Sequence, residues 1–289
     1  MEAYVISTSD RGLRQDALVL SDELQLAGFR DVSHVVPRAY GNWGTRPKRQ
    51  EIEIPGLGPH AVVFFLEHVY PSRSVFRSGA KTVFVPNPEQ LSEADVALAH
   101  TLCDAVLHKT HESARIWRRM TAHLPPGPEE TVAGWSSRSR FVRDQLKTAR
   151  RFLHVSGPLK GTDLLVEAWR RHPEWPELTV VGADYPPGLE GMDRLRFVPR
   201  ATDEELDVLM TTHGVYLAPS HAEGWGHVIA EALSAGAIVL APDAGVPAEV
   251  VGPAAVAIPR SPAAFRSSTP PGRSCRPPTG TPTRTPSGS

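Results

Sequence analysis

Two glutamates and two glycines lie close together in the stretch PSHAEGWGHVIAEALSAGAIVLAPD, residues 219–243. Glu223 precedes the sequence Gly-Trp-Gly, and Glu231 comes after seven intervening residues, inside an apolar pattern typical of a helix. Gly224 and Gly226 let the backbone approach a ligand closely, and the free amides and positive dipole end of a helix start attract an anion. The stretch therefore indicates an anion site at the amino end of this helix.

A purely structural explanation of the same residues stays open at this level. A glutamate close to a helix start is favoured by the helix dipole whether or not a ligand binds. His227 and Glu231 are four residues apart and share one face of the helix, while the apolar residues are expected to face the core. Those apolar residues are Val228, Ile229, Ala232 and Leu233.

Short β-branched runs alternate with helical patterns along the chain, which predicts a doubly wound α/β architecture. In the first part we expect strands at AYVIS, DVSHVV, AVVFFLE, KTVFV and CDAVLH, with one helix after the first strand and another from Ser92. The passage HLPPGPEE, followed by TVAGWSSRSR, is rich in Pro, Gly and Ser and predicts an interdomain connection. We therefore assign residues 1–124 to a first Rossmann-like domain and residues 125–149 to the connection.

The pattern then restarts, with strands predicted at RFLHVSG, LTVVG, LRFVP, VYLAPS and AIVLAPD. A helix that follows the first of these strands places Leu164, Leu165 and Ala168 on one face. Another helix begins with a capping box at Thr202 and is expected to end at Gly214. These elements predict a second Rossmann-like domain over residues 150–258, which carries the glutamate stretch.

Composition narrows the class of protein. A chain of 289 residues with 40% apolar and 22% charged residues is long enough for two domains with their own cores. A net charge of −1 gives no general attraction to nucleic acid or to an anionic membrane. Only two cysteines favour a reducing, cytoplasmic setting, and neither a signal peptide nor a membrane helix is predicted. Residues 259–289, rich in Pro, Ser, Thr, Gly and Arg, are expected to be disordered.

Written out as Glu223-Gly-Trp-Gly-x4-Glu231, the opening stretch resembles the E-x7-E signature of retaining GT-B glycosyltransferases, particularly glycosyltransferase family 4 (group 1). The resemblance implies a GT-B fold, in which two Rossmann-like domains face a cleft. Members of the family normally continue with further sheet and helix after PAEVV, so the second domain is expected to be truncated. By the same resemblance Glu223 lies beside the transferred sugar and Glu231 at the nucleotide ribose. The remaining donor-binding candidates of this stretch are Gly224, Trp225, Gly226 and His227.

A second match to the family is HVSGPLKGTDLLVEAW, in which a strand, a glycine turn and a Lys-Gly pair lead into a helix. The resemblance implies that Lys160 contacts the donor diphosphate, with Gly157 in the turn before it. A surface lysine ahead of a capped helix needs no function, and that alternative stays open. Many relatives place an arginine after the glycine, where Pro158 stands here, so Arg138 or Arg140 is expected to supply the missing charge. No Asp-x-Asp pair occurs, and neither a metal nor another cofactor is expected.

The first domain resembles the family more loosely. Its segment FFLEHVYP is similar to the one from which relatives present a histidine to the sugar, which makes His68 the second catalytic candidate beside Glu223. A histidine that is simply packed or hydrogen-bonded after a strand is the alternative. The loop STSDRG is expected to face the substrates from the other side, with Gly12 as the best match to the family's glycine-rich first loop.

The resemblance therefore implies a hexosyltransferase or other glycosyltransferase that retains the anomeric configuration. Its donor would be a nucleoside diphosphate sugar, and its acceptor a carbohydrate, a lipid-linked molecule or a small molecule. A truncated nucleotide-sugar-binding protein without catalysis and a nucleotide-sugar 2-epimerase are the alternatives. Nucleic acid is not expected as a partner, and peripheral contact with a membrane is left open. The sequence fixes neither the base, the sugar and the acceptor nor the oligomeric state.

Overall fold

Six parallel strands form the first sheet, in the order β2-β1-β3-β4-β5-β6. The computed structural model describes residues 1–7, 11–37, 52–70, 72–142, 147–185, 188, 191–254 and 256–258. Within these residues the strands are β1 (Glu2–Ile6), β2 (Asp31–Val35), β3 (Val62–Leu66), β4 (Lys81–Val85), β5 (Ala105–His108) and β6 (Glu129–Val132). The helices between them are α1 (Arg11–Leu26), α2 (Arg73–Arg77), α3 (Glu93–Leu102) and α4 (His111–Thr121).

A second sheet of six parallel strands follows, in the order β12-β11-β10-β7-β8-β9. Its strands are β7 (Thr148–Val155), β8 (Leu178–Gly182), β9 (Leu195–Pro199), β10 (His213–Leu217), β11 (Ile238–Pro242) and β12 (Val256–Ile258). Its helices are α5 (Thr162–Arg171), α6 (Asp203–Thr212), α7 (His227–Ser234) and α8 (Gly245–Val251), and a short 3-10 turn follows α8. Residues 1–259 make up one compact unit that contains both sheets.

Each sheet carries apolar side chains on both faces, as expected when helices cover a parallel sheet on two sides. In β1 the alternation is clear, because Ala3 and Val5 belong to one buried cluster while Tyr4 and Ile6 contact the other. The second sheet is divided in the same way, with Leu153 of β7 on one face and its neighbour Phe152 on the other. The period of two in these strands therefore sets which helices each strand packs against.

The strand order reverses once in each sheet. In the first sheet β1 pairs with both β2 and β3, so the chain runs to opposite sides of β1. In the second sheet β7 pairs with β8 on one side and with β10 on the other. Helices that leave these neighbouring strands cover opposite faces of a sheet, which opens a crevice at the carboxyl ends of the two strands. The fold thus predicts ligand sites after β1 and β3 and after β7 and β10.

Helix starts follow the capping signals of the sequence. The hydroxyl of Ser92 accepts a hydrogen bond from the amide of Asp95 at the start of α3. At the start of α6, Thr202 and Glu205 form the predicted reciprocal capping box. Each bond satisfies an amide that has no partner inside the helix and stabilises the helix by about 1 kcal/mol.

Three predictions on individual elements need correction. Gly214 does not end α6 but lies in β10, where an added Cβ would come within 2.5 Å of the Thr148 carbonyl oxygen of β7. The glycine is therefore required by the close pairing of β7 and β10. The second correction is that Leu164 does not share the buried face of α5, because it is 48% exposed. The residues that this helix buries are Leu165, Val166 and Trp169.

Residues 125–149, which were predicted to be a connection, contain a strand of the first sheet. This strand, β6, pairs in parallel with β5, beginning with Glu129 opposite Ala105. Its sequence EETV lacks an apolar run because it forms the edge of the sheet, where alternate side chains stay exposed to solvent. The first sheet therefore extends to Val132. The predicted disorder of residues 259–289 concerns residues outside the described part of the chain.

Candidate functional site

The glycine turn between β10 and α7 lies at the carboxyl end of β10, where the order of the second sheet reverses. Gly226 is the N-cap of α7 and has a φ of 89°, a left-handed conformation that glycine adopts without strain. Gly224 lies against the first domain, since an added Cβ would come within 2.7 Å of Asn87 Oδ1 and 2.8 Å of Glu89 Oε1. Trp225 donates a hydrogen bond from Nε1 to Ser137 Oγ over 3.0 Å. The turn is thus held between the two sheets.

The Lys160 turn lies beside it, at the carboxyl end of β7. The amide of Lys160 donates to the carbonyl oxygen of Gly157 over 3.3 Å, which closes a tight turn. Gly161 follows as the N-cap of α5 with a φ of 69°, and an added Cβ there would come within 2.4 Å of the Pro219 carbonyl oxygen. The amide of His221 donates to the Leu159 carbonyl oxygen over 2.8 Å. These contacts bring the two turns together.

The result is an ion pair between two residues that are far apart in sequence. Lys160 Nζ lies 2.5 Å from Glu223 Oε2. The Glu223 side chain is buried, whereas 27% of the Lys160 side chain is exposed, so the lysine faces the opening of the crevice. A cation and a carboxylate therefore stand side by side at the point where the second sheet reverses its order.

His154 of β7 fixes the strand ends beneath this pair. Its Nδ1 lies 2.9 Å from the Leu217 carbonyl oxygen and its Nε2 lies 2.8 Å from Thr162 Oγ1. A carbonyl oxygen only accepts hydrogen bonds, so Nδ1 carries the proton and Nε2 accepts from the threonine hydroxyl. Burial lowers the pKa of His154 to about 4, which keeps the ring neutral near pH 7. The neutral ring joins β7, β10 and the first turn of α5.

Glu231 is a buried residue of α7 rather than a solvent-facing one. The sequence placed it on a face away from the apolar residues, but it is buried together with Ile229 and Ala232. Its Oε2 accepts a hydrogen bond from Arg140 Nε over 2.7 Å. Arg140 also pairs with Asp207 of α6, and its amide donates to Ser234 Oγ over 2.9 Å. The arginine compensates the charge of the buried carboxylate and fixes its orientation.

Arg138 and Arg140, the two arginines predicted to complete a diphosphate site, both lie near α6. Arg138 donates to Asp207 over 2.9 Å, and Arg140 is paired with Glu231 and Asp207. Both guanidinium groups are therefore held by carboxylates. The clear function that the structure gives Arg140 is to orient Glu231.

The first domain contributes buried charges to the same region. His227 Nδ1 lies 2.8 Å from Ser137 Oγ, and its Nε2 lies 3.0 Å from Asp16 Oδ1 of α1. The other carboxylate oxygen of Asp16 accepts from Lys109 Nζ over 2.5 Å, and Lys109 donates to Asn87 Oδ1 over 2.6 Å. Burial by itself would raise the pKa of Asp16, but Lys109 and His227 lower it on balance. A buried chain of hydrogen bonds therefore links α7 to the first sheet.

A second contact between the domains involves a helix start. The carboxylate of Glu249 in α8 accepts hydrogen bonds from the amides of His111 and Glu112, over 2.6 and 3.0 Å. These amides open α4 and have no partners inside the helix, and a negative charge is favoured at this position by the helix dipole. Glu249 therefore caps a helix of the other domain.

The two first-domain candidates, His68 and Gly12, lie at the carboxyl ends of β3 and β1. His68 Nδ1 lies 3.2 Å from Asp95 Oδ1 of α3. Burial tends to lower the pKa of His68, but the hydrogen bond and the charge of Asp95 raise it on balance. Gly12 is the second residue of α1, and the preceding loop residues 8–10 lie outside the described part of the chain. Both positions are where the first sheet reverses its order.

The structure therefore brings together several residues that the sequence singled out, namely Gly157, Lys160, Glu223, Gly224, Trp225, Gly226, His227 and Glu231. Sequence reasoning missed Asp16, Asn87, Glu89, Lys109, Ser137 and Glu249. For Asn87, Glu89 and Lys109 a signal existed, because these residues follow directly after the apolar strands β4 and β5. Asp16, Ser137 and Glu249 each have a partner in the other domain, and no local sequence pattern predicts such a contact.

A surface depression on the first sheet is unrelated to this region. It is lined by Met1, Pro59, His60, Ala61, Val62 and Lys81, at the amino ends of the strands. Within the described residues no group of three or more His, Cys, Asp or Glu side chains is arranged to hold a metal ion. None of the described helices has the length and apolar character needed to cross a membrane.

Residues 148–266 match the family model described as glycosyl transferases group 1. The match includes the whole second sheet and covers less than half of the chain. It contains Lys160, Glu223 and Glu231, which the geometry brings into one region. A search of curated protein sequences gave no match.

Solved structures with the same arrangement of two sheets include WaaG, a glycosyltransferase involved in lipopolysaccharide biosynthesis, with a TM-score of 0.59 and 15% identity over 90% of this chain and 86% of that chain. Sucrose-phosphate synthase from Thermosynechococcus elongatus gives a TM-score of 0.60 and 15% identity over 85% and 82%. The GtfA/B complex gives a TM-score of 0.53 and 19% identity over 71% of this chain. This chain spans only 47% of the length of that one.

The fold is GT-B, with two parallel α/β sheets, as the resemblance implied. The family match covers the second sheet, and the structural neighbours share the fold of both sheets.

Proposed function

We propose that this protein transfers a sugar from a nucleoside diphosphate sugar to an acceptor, with retention of the anomeric configuration, as in glycosyltransferase family 4. The observation that carries the proposal is the contact of Lys160 with Glu223 beside the start of α7. It lies at the carboxyl ends of β7 and β10, inside the segment that matches the family model.

The diphosphate would bind to Lys160 and to the amides at the start of α7. The Lys160 side chain is partly exposed and can reach a phosphate oxygen, and the buried carboxylate of Glu223 would then be compensated by hydroxyls of the bound sugar. The turn around Gly224 and Gly226 allows the backbone to approach the phosphates. Negative charge on the departing diphosphate grows as the bond to the sugar breaks, so these groups bind the transition state more strongly than the donor. We propose that no metal is needed.

Glu223 would lie beside the transferred sugar. Its carboxylate is buried and stands at the amino side of the glycine turn, next to the lysine that would hold the phosphate. In this position it can orient sugar hydroxyls and stabilise positive charge at the anomeric carbon. We assign no covalent nucleophile.

Glu231 would accept hydrogen bonds from the ribose of the nucleotide. Arg140 occupies its Oε2, so the other oxygen is the one that would meet the ligand. The pairing with Arg140 holds the Glu231 side chain in place, and a fixed acceptor binds a ligand with a smaller loss of side-chain entropy. Trp225 and His227, which are held by Ser137, would border the same donor site.

The acceptor would enter from the first domain, where His68 and Gly12 lie at the reversal point of the first sheet. His68 would contact the transferred sugar, with Asp95 holding its ring. A carbohydrate, a lipid-linked molecule or a small molecule would serve as acceptor. We place the activity in the cytoplasm, and peripheral contact with a membrane would suit a lipid-linked acceptor.

The test is a thermal-shift screen with UDP, GDP, ADP and dTDP, followed by turnover assays with sugar conjugates of the nucleotide that binds. A nucleotide that binds only the folded protein stabilises it by about 2.7 kcal/mol at a hundred times its Kd. We expect one nucleotide to raise the Tm and its sugar conjugate to be consumed with an acceptor present. Binding without turnover would leave a nucleotide-sugar-binding protein, and conversion without an acceptor would indicate a 2-epimerase. If none of the nucleotides stabilises the protein, the proposal is wrong.

A further inference from the structure

Glu89 lies in the turn that follows β4, beside Gly224, and has no function in the proposed binding of the donor. The amide of Gln90 donates to the Asn87 carbonyl oxygen over 3.0 Å, which closes this turn. Asn87 is held in turn by Lys109, whose Nζ bonds both Asn87 and Asp16. The backbone that carries Glu89 is therefore fixed from the interior of the first domain.

The Glu89 carboxylate is directed at the glycine turn of the second domain. Its Oε1 lies so close to Gly224 that an added Cβ would come within 2.8 Å of it. Its Oε2 is shielded from solvent and accepts no hydrogen bond from any residue that the structure describes. A buried carboxylate oxygen without a partner costs about 1–3 kcal/mol or more, so its presence needs an explanation.

The surrounding charges do not supply that explanation. Burial raises the pKa of Glu89, and the nearby Glu223 adds to the rise, although the residue's own backbone amide, Lys109 and Lys160 oppose it. Lys109 is bonded to Asp16 and Asn87, and Lys160 is bonded to Glu223. Each lysine thus has a closer partner than Glu89. The carboxylate stands between the two sheets, next to the ion pair that would bind the donor.

The chemistry of the group narrows what it can bind. As a carboxylate, Glu89 accepts hydrogen bonds and repels anions, which favours the hydroxyl of a carbohydrate over the diphosphate as its ligand. Because Glu89 belongs to the first domain, it would contact the molecule that enters from that side. We propose, on the basis of the proposed sugar transfer, that Glu89 determines acceptor specificity by accepting at Oε2 a hydrogen bond from a hydroxyl of a carbohydrate acceptor.

The experiment measures binding of simple glycosides to the protein saturated with the nucleoside diphosphate that stabilises it. The probes are methyl α-D-glucopyranoside, methyl α-D-mannopyranoside and methyl α-D-galactopyranoside, titrated by NMR. We expect Glu89→Ala to weaken the affinity for the bound glycoside by about tenfold or more, the scale of one hydrogen bond to a charged group, and Glu89→Gln to weaken it less. Nucleotide affinity should stay within about twofold of wild type.

The exposed Glu93, at the start of α3, provides the control, and Glu93→Ala should bind glycoside like wild type. A second readout is the Tm, which Glu89→Ala should leave unchanged or raise, because the substitution removes an unsatisfied buried oxygen. Equal glycoside affinity in wild type and Glu89→Ala, absence of glycoside binding to the wild type, or a matching loss of nucleotide affinity would overturn the proposal. If the wild type binds no nucleotide, the proposed function fails first and this assignment falls with it.

Discussion

His227 Nε2 lies 3.0 Å from Asp16 Oδ1, which joins the first residue of α7 to helix α1 of the first domain. Asp16 is also the partner of Lys109, and both side chains are almost fully buried. The start of the proposed donor-site helix is therefore tied to a buried charge in the other sheet. This carboxylate therefore contributes, together with the Glu249 contact, to the relative position of the two sheets.

Asp16→Asn should destabilise the protein by about 3–5 kcal/mol, because it leaves Lys109 buried without a compensating charge. Chemical denaturation at pH 7 measures the loss. Asp22→Asn, an exposed position on the same helix, is the control and should change stability by less than about 0.5 kcal/mol. If both variants unfold at the wild-type denaturant concentration, Asp16 does not hold the contact together.

The free energy of unfolding should depend on pH through the titration of His154. Its pKa is lowered from 6.5 to about 4 by burial, so between these values the unfolded chain binds the proton and the folded protein does not. The contribution of His154 to the free energy of unfolding is therefore fully present above about pH 6.5. It is lost as the pH drops towards 4, by about 3 kcal/mol in total.

His154→Gln should remove up to one proton from that dependence, about 1.4 kcal/mol per pH unit near pH 5. The measurement is the free energy of unfolding at several pH values between 4 and 7. His60→Gln, at an exposed position, should leave the slope as it is in the wild type. An unchanged slope in His154→Gln would mean that this ring is protonated in the folded protein.

Gly161→Ala tests the contact that brings the Lys160 turn against the glutamate turn. Gly161 and Gly28 both have a positive φ, at 69° and 92°, but only Gly161 has backbone in the way of a Cβ. We expect Gly161→Ala to be more destabilising than Gly28→Ala by about 1–3 kcal/mol, the usual cost of overpacking. Thermal unfolding of both variants measures the difference. Equal losses would mean that the Pro219 carbonyl can move away without cost.

The two glutamates should differ in what their loss affects. Glu231→Ala should weaken nucleotide affinity by about 1–3 kcal/mol, because it removes an acceptor for the ribose hydroxyls. Glu223→Gln should leave nucleotide affinity nearly unchanged and lower kcat, because its contacts strengthen as the anomeric carbon becomes cationic. Calorimetry and donor turnover on folded variants separate the two effects. Wild-type nucleotide affinity in Glu231→Ala, or wild-type turnover in Glu223→Gln, would contradict the assigned roles.

The sequence predicts the strands well where they are apolar on both faces. KTVFV and LTVVG are interior strands whose β-branched residues are buried or, at Val83, half-buried, and both form as expected. It misses β6 because an edge strand needs no apolar run, and it misplaces the end of α6 because a glycine in a closely paired strand looks like a helix stop. A glycine in the sequence does not by itself distinguish a helix end from a closely paired strand.

The residues of the candidate site likewise fall into those that the sequence identifies and those that it does not. Lys160 and Glu223 are found because each lies in a local motif, with a glycine turn that leads from a strand into a helix. Asp16 is not found, and Arg140 is found only as a candidate for the diphosphate, because the partners of these two residues lie 211 and 91 residues away. Buried charges of this kind are selected by the tertiary contact that compensates them, and a single sequence does not record which contact that is.

Calorimetry tests most directly whether Lys160 binds the diphosphate of a nucleotide ligand. The titrations compare the nucleoside diphosphate that stabilises the protein with the matching nucleoside, on wild type, Lys160→Ala and Lys81→Ala. Lys81 is an exposed lysine at the amino end of β4 and serves as the control. We predict that Lys160→Ala loses about tenfold or more in affinity for the diphosphate and almost nothing for the nucleoside, since the proposed contact of the lysine with the ligand is to phosphate alone. Equal losses for the two ligands, or wild-type affinity for the diphosphate, would contradict the account.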